Sequence, residues 1–380
     1  MGIDFGDAPG LDEIELTLIG PGYGECCLVH IGGGHWIIVD SCRHSETGDP
    51  AALTYLRGIG VNSNTAVARI VVTHYHDDHI RGLAELVREC AGAKLCVPVA
   101  MGRREFLVRV AAYSPELLGR VAGVTKEIKA TFEEIANRPK GSTTFGIIHG
   151  IAGRRIFSLD KGDSGHGLQC EIRCLSPSDK DVSVFQNYLA QDYARLKEPK
   201  IRPAPFTPNS QSIALHVLIG EGSILLGADL EAPNDPDRGW NAVLRDQMET
   251  AARSSAIKIP HHGSRNAHCD ELWRTMLLDN PWAILTPWQG PQRTTPTKED
   301  VNRIVSLTKR AYSSAVRNPP RKSIRRDHSV EKTVKQFGIK IRRSERSTGV
   351  VRLRCKDPQD LRPQNWNVSL FDGACALQDA

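Results

Sequence analysis

Apolar and polar positions in the first hundred residues fall into short runs divided by glycine. IELTLIG (14–20), ECCLVHI (25–31) and HWIIVDS (35–41) are separated by Pro21-Gly22-Tyr23-Gly24 and by Gly32-Gly33-Gly34. Runs this short, bounded by turn formers, predict a β-meander. RIVVTHYH (69–76) reads as a further strand, and LAELVREC (83–90) has the spacing of a helix lying on a sheet, ending near Gly92. KLCVPV (94–99) returns to strand, and residues 103–137 read as mostly helical with a break near Ser114-Pro115. Strand patterns resume at TFGIIHGI (144–151), RRIFSLD (154–160) and LQCEIRCLSPS (168–178). Residues 178–209 are a polar stretch of helix and loop ending in RPAPFTPNS. SIALHVLIG (212–220) and SILLGADL (223–230) form a predicted hairpin around Gly220-Glu221-Gly222. A helix (241–254), the strand AIKIPHHGS (256–264), ELWRTMLL (271–278), WAILTPW (282–288), a helix near 298–311 and a last strand TGVVRLRC (348–355) complete the pattern.

Strands and helices interleave throughout and no long linker intervenes, which predicts an α/β chain of sheets covered by helices. The chain reads as one domain over 1–380 with its core at about 12–355, insertions at about 100–150 and 178–209, and a basic C-terminal part, 301–354. Its 380 residues, 40% hydrophobic and 24% charged, are ordinary for a globular protein. No run approaches the roughly 20 apolar residues of a membrane span. The acidic N-terminus MGIDFGDAPGLDEIEL lacks the features of a secretory leader. Ten cysteines, most of them inside apolar runs and none in a CxxC pair, read as buried free thiols. A cytoplasmic location is the expectation.

Charge changes the picture more than composition does. Residues 301–354 hold 16 Lys/Arg against 3 Asp/Glu, whereas the remainder holds 33 against 41. A basic block on an acidic protein is the footprint of a surface that meets phosphate. Arg317, Arg321, Lys322, Arg325, Arg326, Arg342 and Arg343 belong to it. Few aromatics interleave with them, so stacking on single-stranded nucleic acid is not signalled.

Strand 69–76 runs straight into chemistry. His74-Tyr75-His76-Asp77-Asp78-His79 packs five ligand-type side chains into six positions. In an extended chain His74 and His76 face one side and can share a cation. Asp78 and His79, where strand gives way to helix, can serve a second cation beside it. Imidazole and carboxylate suit zinc and, less selectively, manganese or iron. Other strand ends converge on the same chemistry. SILLGAD ends in Asp229, able to bridge two cations; AIKIP leads into His261-His262-Gly263-Ser264; HWIIVD ends in Asp40, placed to orient a ligand.

The HxHxDH spacing resembles the hallmark of the metallo-β-lactamase-fold hydrolases. In finer detail the chain resembles the branch that includes the hydrolase domain of ComEC-type DNA-uptake proteins. The motifs that carry this are Gly22-Tyr23-Gly24, Asp40, the His74–His79 run, Leu175-Ser176-Pro177-Ser178, Asn209 with Ser212, Gly227-Ala228-Asp229, the 261–264 turn, and Thr348-Gly349 with Val351. The resemblance implies an αββα sandwich of two mixed β-sheets flanked by helices. It also implies that His74 and His76 bind a first metal, Asp78 and His79 a second, and Asp229 both. His262 is the preferred last ligand, with His261 open as the alternative; in the preferred arrangement His261 lines the site as a proton donor. Many relatives supply a third histidine to the first metal. Here that register falls on Asn209, which implies a more weakly held first ion and leaves one or two ions open. His149, His166 and His216 lie in the same interval but out of register.

The expected function is therefore metal-dependent hydrolysis of a phosphodiester in nucleic acid or nucleotide by a metal-activated hydroxide, with Asp78 orienting the water and His261 serving the leaving group. The basic residues, Arg321, Lys322, Arg325 and Arg326 among them, favour that substrate. Two other readings stay open: a small-molecule ester, lactone or phosphocholine-type hydrolase on the same metals, and a metal-depleted module without catalysis. The membrane channel of ComEC-type proteins has no counterpart in the sequence, which fits a stand-alone enzyme working with a protein partner.

Overall fold

The computed structural model describes residues 3–20, 24–102, 106, 119–196, 208–247, 252–289, 294–317 and 348–380. The glycine-punctuated runs near the N-terminus become the antiparallel strands β1 (Ile14–Gly20), β2 (Cys26–His30) and β3 (Trp36–Val39). β4 (Val67–Val71), β5 (Lys94–Pro98) and β6 (Ile147–Gly150) then add in parallel. The next strands are β7 (Arg155–Leu159), β8 (Cys170–Cys174), β9 (Leu215–Ile219), β10 (Gly222–Leu226), β11 (Ser254–Lys258) and β12 (Leu277–Leu285). A small hairpin of β13 (Trp288–Gln289) and β14 (Thr294–Thr295) follows, then β15 (Arg310–Ser313), β16 (Gly349–Cys355), β17 (Trp366–Phe371) and β18 (Cys375–Ala376).

These strands make two eight-stranded mixed sheets, ordered β17-β16-β1-β2-β3-β4-β5-β6 and β18-β15-β12-β11-β10-β9-β8-β7. Alternation decides their packing. Ile14, Leu16 and Leu18 of β1 point inward and meet Ile172, Leu215, Val217 and Ile284 of the second sheet, forming the layer between the sheets. The outer face of the first sheet is covered by α1 (Ala51–Gly58) and α4 (Leu83–Glu89), together with α5 (Gly119–Ala136). α7 (Gly239–Gln247), α8 (Asp270–Thr275) and α9 (Lys298–Leu307) cover the second. The expected αββα sandwich, the metallo-β-lactamase fold, is what forms. Two further helices, α2 (Ser63–Ala66) and α3 (Asp77–Ile80), are single turns, and α6 (Asp179–Leu196) fills much of the second predicted insertion. Residues 103–105, 107–118 and 197–207 of the predicted insertions, and the break at Ser114-Pro115, lie outside the described residues.

Three elements depart from the sequence pattern. α1 is buried at Ala51 through Leu56 almost without interruption, so no polar stripe revealed its helical period. The helix expected to reach residue 311 stops at Leu307; Thr308 is extended and Arg310–Ser313 pairs with β12 instead. TGVVRLRC is not the last strand, because β17 adds beside β16 and β18 beside β15. Edge strands only partly buried show too little alternation to stand out. All ten cysteines are free, eight of them buried. No helix of the described residues is long and apolar enough to cross a membrane.

Candidate metal centre

The parallel strands β3, β4, β10, β11 and β12 all deliver their C-terminal ends to one end of the sandwich, the place where α/β sheets hold ligands. Beyond β4 the chain runs on through Thr73 to His74, which is fully buried, and His76, and then turns into α3. Beyond β3, Asp40 adopts a left-handed conformation (φ 63°) that directs its carboxylate back at this segment. One Asp40 oxygen accepts from the Thr73 backbone N–H at 2.7 Å; the other accepts from the Thr73 hydroxyl at 2.7 Å and from His79 Nδ1 at 2.8 Å.

β10 and β11 end in tighter turns. A side chain at Gly227 would place Cβ 2.5 Å from Pro260, so only glycine allows the two strand ends to approach. Ala228, His261 and His262 all have positive φ (47°, 46° and 52°), at a cost of about 1–2 kcal/mol each for a residue other than glycine. His261 N–H bonds Ala228 C=O at 2.9 Å, and the Arg303 guanidinium of α9 bonds Gly263 C=O at 2.8 Å, which holds the turn. The result is that side chains 229 and 262 face the His74–His79 segment across the sheets.

Each imidazole is fixed through one nitrogen. Since the Thr73 hydroxyl donates to Asp40, it accepts from His74 Nδ1 (3.0 Å); His262 Nδ1 donates to Thr286 C=O (2.9 Å). Together with the His79–Asp40 bond, this leaves Nε2 of His79 and His262 without a hydrogen-bond partner, while His74 Nε2 lies 3.0 Å from His76 Nδ1. Three groups of three result: His74, His76 and Asp229; Asp78, His79 and His262; and, on the Nδ1 side of His79, Glu25, Asp40 and His79. The first two face each other across Asp229. Asp229 Oδ2 reaches both, at 3.8 Å from His74 Nε2, 3.4 Å from His79 Nε2 and 3.6 Å from His262 Nε2. Asp78 Oδ2 stands 3.4 Å from His262 Nε2.

These separations fit a metal better than they fit direct contacts. Most are too long for hydrogen bonds, yet two atoms each 2.0–2.2 Å from one tetrahedral ion lie about 3.4 Å apart. Buried His79 Nε2, His262 Nε2 and Asp229 Oδ1 have no hydrogen-bond partner, the state expected of donors arranged for cations. The donors, four imidazoles and two carboxylates, are the set zinc prefers.

Charge in the ion-free site is set by burial against crowding. Burial pushes His74 well below the ordinary imidazole range, and it lowers His76 as well. Burial opposes charge on His79 and His262 too, but the carboxylates around them outweigh it: Asp229, Asp40 and Asp78 raise His79 well above its ordinary value, and Asp229, Asp78 and Glu25 raise His262. Asp78 and Asp229 are correspondingly held below the usual carboxylate range despite their burial, by His79 and His262. Asp40 goes the other way, because its desolvation exceeds what His79 and Thr73 return.

His261 stands apart from His262. It is partly exposed, its Nε2 lies 4.0 Å from Asp229 Oδ2 and 3.3 Å from Asn209 Nδ2, and its Nδ1 lies 3.0 Å from Asn266 Oδ1. Asn209 is thus brought beside His261, and its Nδ2 donates to Glu231 Oε1 at 2.8 Å. Of the two histidines, His262 is the one that joins the second group. Asp77 pairs with Arg81 on the rim. His166 bonds Ile31 C=O and His216 lies within β9; neither joins a group, nor does His149. Gly22 and Tyr23 of the Gly-Tyr-Gly turn, and the basic residues Arg321, Lys322, Arg325, Arg326, Arg342 and Arg343, lie outside the described residues. The site opens to a cleft of about 690 Å³ lined by His76, Asp78, His261, Arg265, Asn266 and Trp288, among others.

Four side chains here escaped the sequence reading: Glu231 and Asn266, which bracket His261, and Glu25 and Lys258, which are buried behind the ligand set. Lys258 left a signal, a single lysine within the buried strand Ser254–Lys258. Glu25 directly follows the Gly-Tyr-Gly turn and gave none of its own.

Residues 19–169 match the family model described as the metallo-beta-lactamase superfamily. No curated protein matches the sequence. Among solved structures, the metallo-beta-lactamase fold protein YhfI from Bacillus subtilis is 15% identical, with a TM-score of 0.31 over 59% of this chain and 65% of that one. The archaeal superfamily protein ST1585 from Sulfolobus tokodaii is 14% identical (TM-score 0.31; 62% and 74% covered). AidC, a dizinc quorum-quenching lactonase, is 13% identical (TM-score 0.30; 54% and 55% covered). Overlaps this shallow carry no substrate across. The family match covers residues 19–169, less than half of the chain, and includes the His74–His79 run that lies at one end of the two eight-stranded sheets.

Proposed function

We propose that the protein is a metal-dependent phosphodiesterase acting on nucleic acid or nucleotide. The observation that carries this reading is where the chain leaves and rejoins the described residues on either side of the basic segment 318–347. Residues 318–347 contain ten Lys/Arg against three Asp/Glu. The chain enters that segment from Arg317, whose guanidinium donates to Pro296 C=O beside cleft-lining Thr295. It re-emerges at Thr348-Gly349, where Gly349 abuts Ser314, itself bonded to Thr286 under His262. The two residues that flank this basic stretch, Arg317 and Thr348, are therefore both held at the metal end, and phosphate charge dominates the affinity of such sequences for nucleic acid. The motif order shared with ComEC-type hydrolase domains supports the same substrate class.

In this reading His74, His76 and Asp229 would hold one divalent ion, and Asp78, His79 and His262, with Asp229 within reach, would hold a second; zinc suits the donors, and manganese or iron would be accepted. Such ions supply Lewis-acid polarisation of the phosphate and lower the pKa of bound water. The chain's own residues do the rest. Asp78 is turned so that one oxygen faces the centre and the carboxylate borders the cleft, placing it to orient an attacking water. His261 Nε2 faces the cleft beside Asp229 and delivers the hydrogen bond, then the proton, to the departing oxygen. Asn266 and Glu231, at 3.0 and 3.5 Å from its Nδ1, hold the ring. Arg265 and Trp288 supply a cation and an aromatic face to the cleft wall.

The test is to measure bound metals on the purified protein and incubate it with plasmid, single-stranded DNA, RNA and bis-p-nitrophenyl phosphate. His76→Ala and Asp229→Ala serve as contamination controls. Cleavage of nucleic acid, lost in both variants, is the expected result. Metal-free protein would end the enzyme reading. Cleavage of the generic diester alone would move the substrate to a small molecule.

A further inference from the structure

Behind the ligands lies a buried ion pair that no metal or substrate contacts require. Lys258, the last residue of β11, is 3% exposed, and Glu25, at the entry to β2, is also 3% exposed. The Lys258 ammonium is bonded to Glu25 Oε1 and donates to Ala228 C=O at 3.0 Å. Glu25 is fixed through its own backbone, since its N–H bonds Asp78 C=O at 3.0 Å. A buried pair of this kind adds little net stability, because desolvation consumes most of its attraction. Its position asks for another reason.

That reason lies in what each partner touches next. After Lys258, the basic groups nearest the Glu25 carboxylate among the described residues are the rings of two candidate ligands: His262 Nδ1 is 3.6 Å from Oε2, and His79 Nδ1 is 3.8 Å from Oε1. Those same N–H groups are engaged by Thr286 C=O and Asp40, the contacts that aim each Nε2 inward. Glu25 Oε2 is buried and lacks a hydrogen-bond partner, so it is a standing competitor for them. After Glu25, the nearest carboxylate to the Lys258 ammonium is Asp229, with Oδ1 at 3.8 Å. Each member, left alone, has a ligand residue as its next partner.

We propose that Lys258 and Glu25 are mutual positioning residues. The ammonium keeps the Glu25 carboxylate from capturing the ring N–H groups of His79 and His262, and Glu25 keeps the ammonium from capturing Asp229. Four carboxylates (Glu25, Asp40, Asp78 and Asp229) crowd this end, and among the described residues Lys258 is the one lysine buried with them. The pair thereby leaves Asp229 and both Nε2 atoms free for cations. The inference rests on the metal-centre reading given above.

A double-mutant cycle tests it. Zn²⁺ affinity is measured by competition with a chromophoric chelator on ion-stripped protein, and the visible spectrum of the Co²⁺-loaded protein reports ligand geometry. Lys258→Met and Glu25→Gln should each weaken Zn²⁺ binding at least tenfold and change the Co²⁺ spectrum, while far-UV circular dichroism shows the fold retained. Lys258→Met/Glu25→Gln should return to within about threefold of the unmodified protein, with its spectrum. Single variants that lower only the melting temperature and leave Zn²⁺ affinity unmoved would overturn the proposal, as would a double variant no better than the weaker single. Should a single variant not fold, the double decides: near-normal affinity supports the pair and weakened affinity refutes it. An unmodified protein that binds no Zn²⁺ would instead remove the metal-centre reading itself, which separates the two failures.

Discussion

His262 and His216 are both buried, and their protons obey opposite rules. His262 sits at the end of the sandwich, where burial is outweighed by Asp229, Asp78 and Glu25, and it is held above the ordinary imidazole range. His216 lies in the body of the second sheet on β9, with the Ser254 hydroxyl at 3.4 Å and no carboxylate beside it; desolvation takes it down to about 4. The two regions differ in the same way throughout. The body is regular and mostly apolar, its buried charge limited to pairs such as Glu15 with Arg354. The end concentrates buried carboxylates, partnerless ring nitrogens and left-handed backbone at Asp40, Ala228, His261 and His262. Stability is generated in one region and consumed in the other, as expected when a site is held in place by a rigid scaffold.

The largest expected effect sets the two regions against each other. Asp229→Asn should lower hydrolysis on the order of a thousandfold, about 4 kcal/mol of activation free energy, with the fold retained. Leu215→Ala, in the layer between the sheets, should cost about 3 kcal/mol of stability and leave the metal equivalents per chain unchanged. Turnover, metal analysis and denaturant unfolding on the two variants read this directly; a Leu215→Ala protein that lost its metal would break the division. Acid sharpens it next. His216 and His30 both fall to about 4 through burial, so at these two positions the folded chain binds fewer protons than the unfolded one between about pH 6.5 and 4. Their neutral forms contribute fully above pH 6.5, and that contribution, on the order of 3 kcal/mol each, is lost as pH falls toward 4. His216→Gln should flatten the slope of stability against pH in that window, which urea midpoints at stepped pH would show. The smallest effect belongs to the rim: Asp77 forms an i,i+4 pair with Arg81 and joins no ligand group, so Asp77→Asn should shift stability by less than about 0.5 kcal/mol and leave Zn²⁺ binding unchanged, as urea midpoints and chelator competition would show.

How much of this was legible follows from distance along the chain. His74, His76, Asp78 and His79 are neighbours in sequence, so their density at a strand end announced itself. Asp229 and His262 were legible as strand-end residues once the first run was recognised. The choice between His261 and His262 was not, because it depends on two successive left-handed residues whose rings point to different sides. α1 hid because a helix buried all round has no stripe, and β17 because an edge strand has weak alternation.

The sequence by itself determined the alternation of strands and helices, the layered class, the ligand types and the ends of the strands that carry them, since periodicity and residue chemistry are local properties. Only the tertiary structure decided that Asp229 Oδ2 stands between two groups of histidines, that Thr286 and Asp40 aim the rings, and that Lys258 meets Glu25. Those contacts join residues up to more than two hundred positions apart, and they exist because two sheets pack face to face with the ends of their parallel strands at one pole.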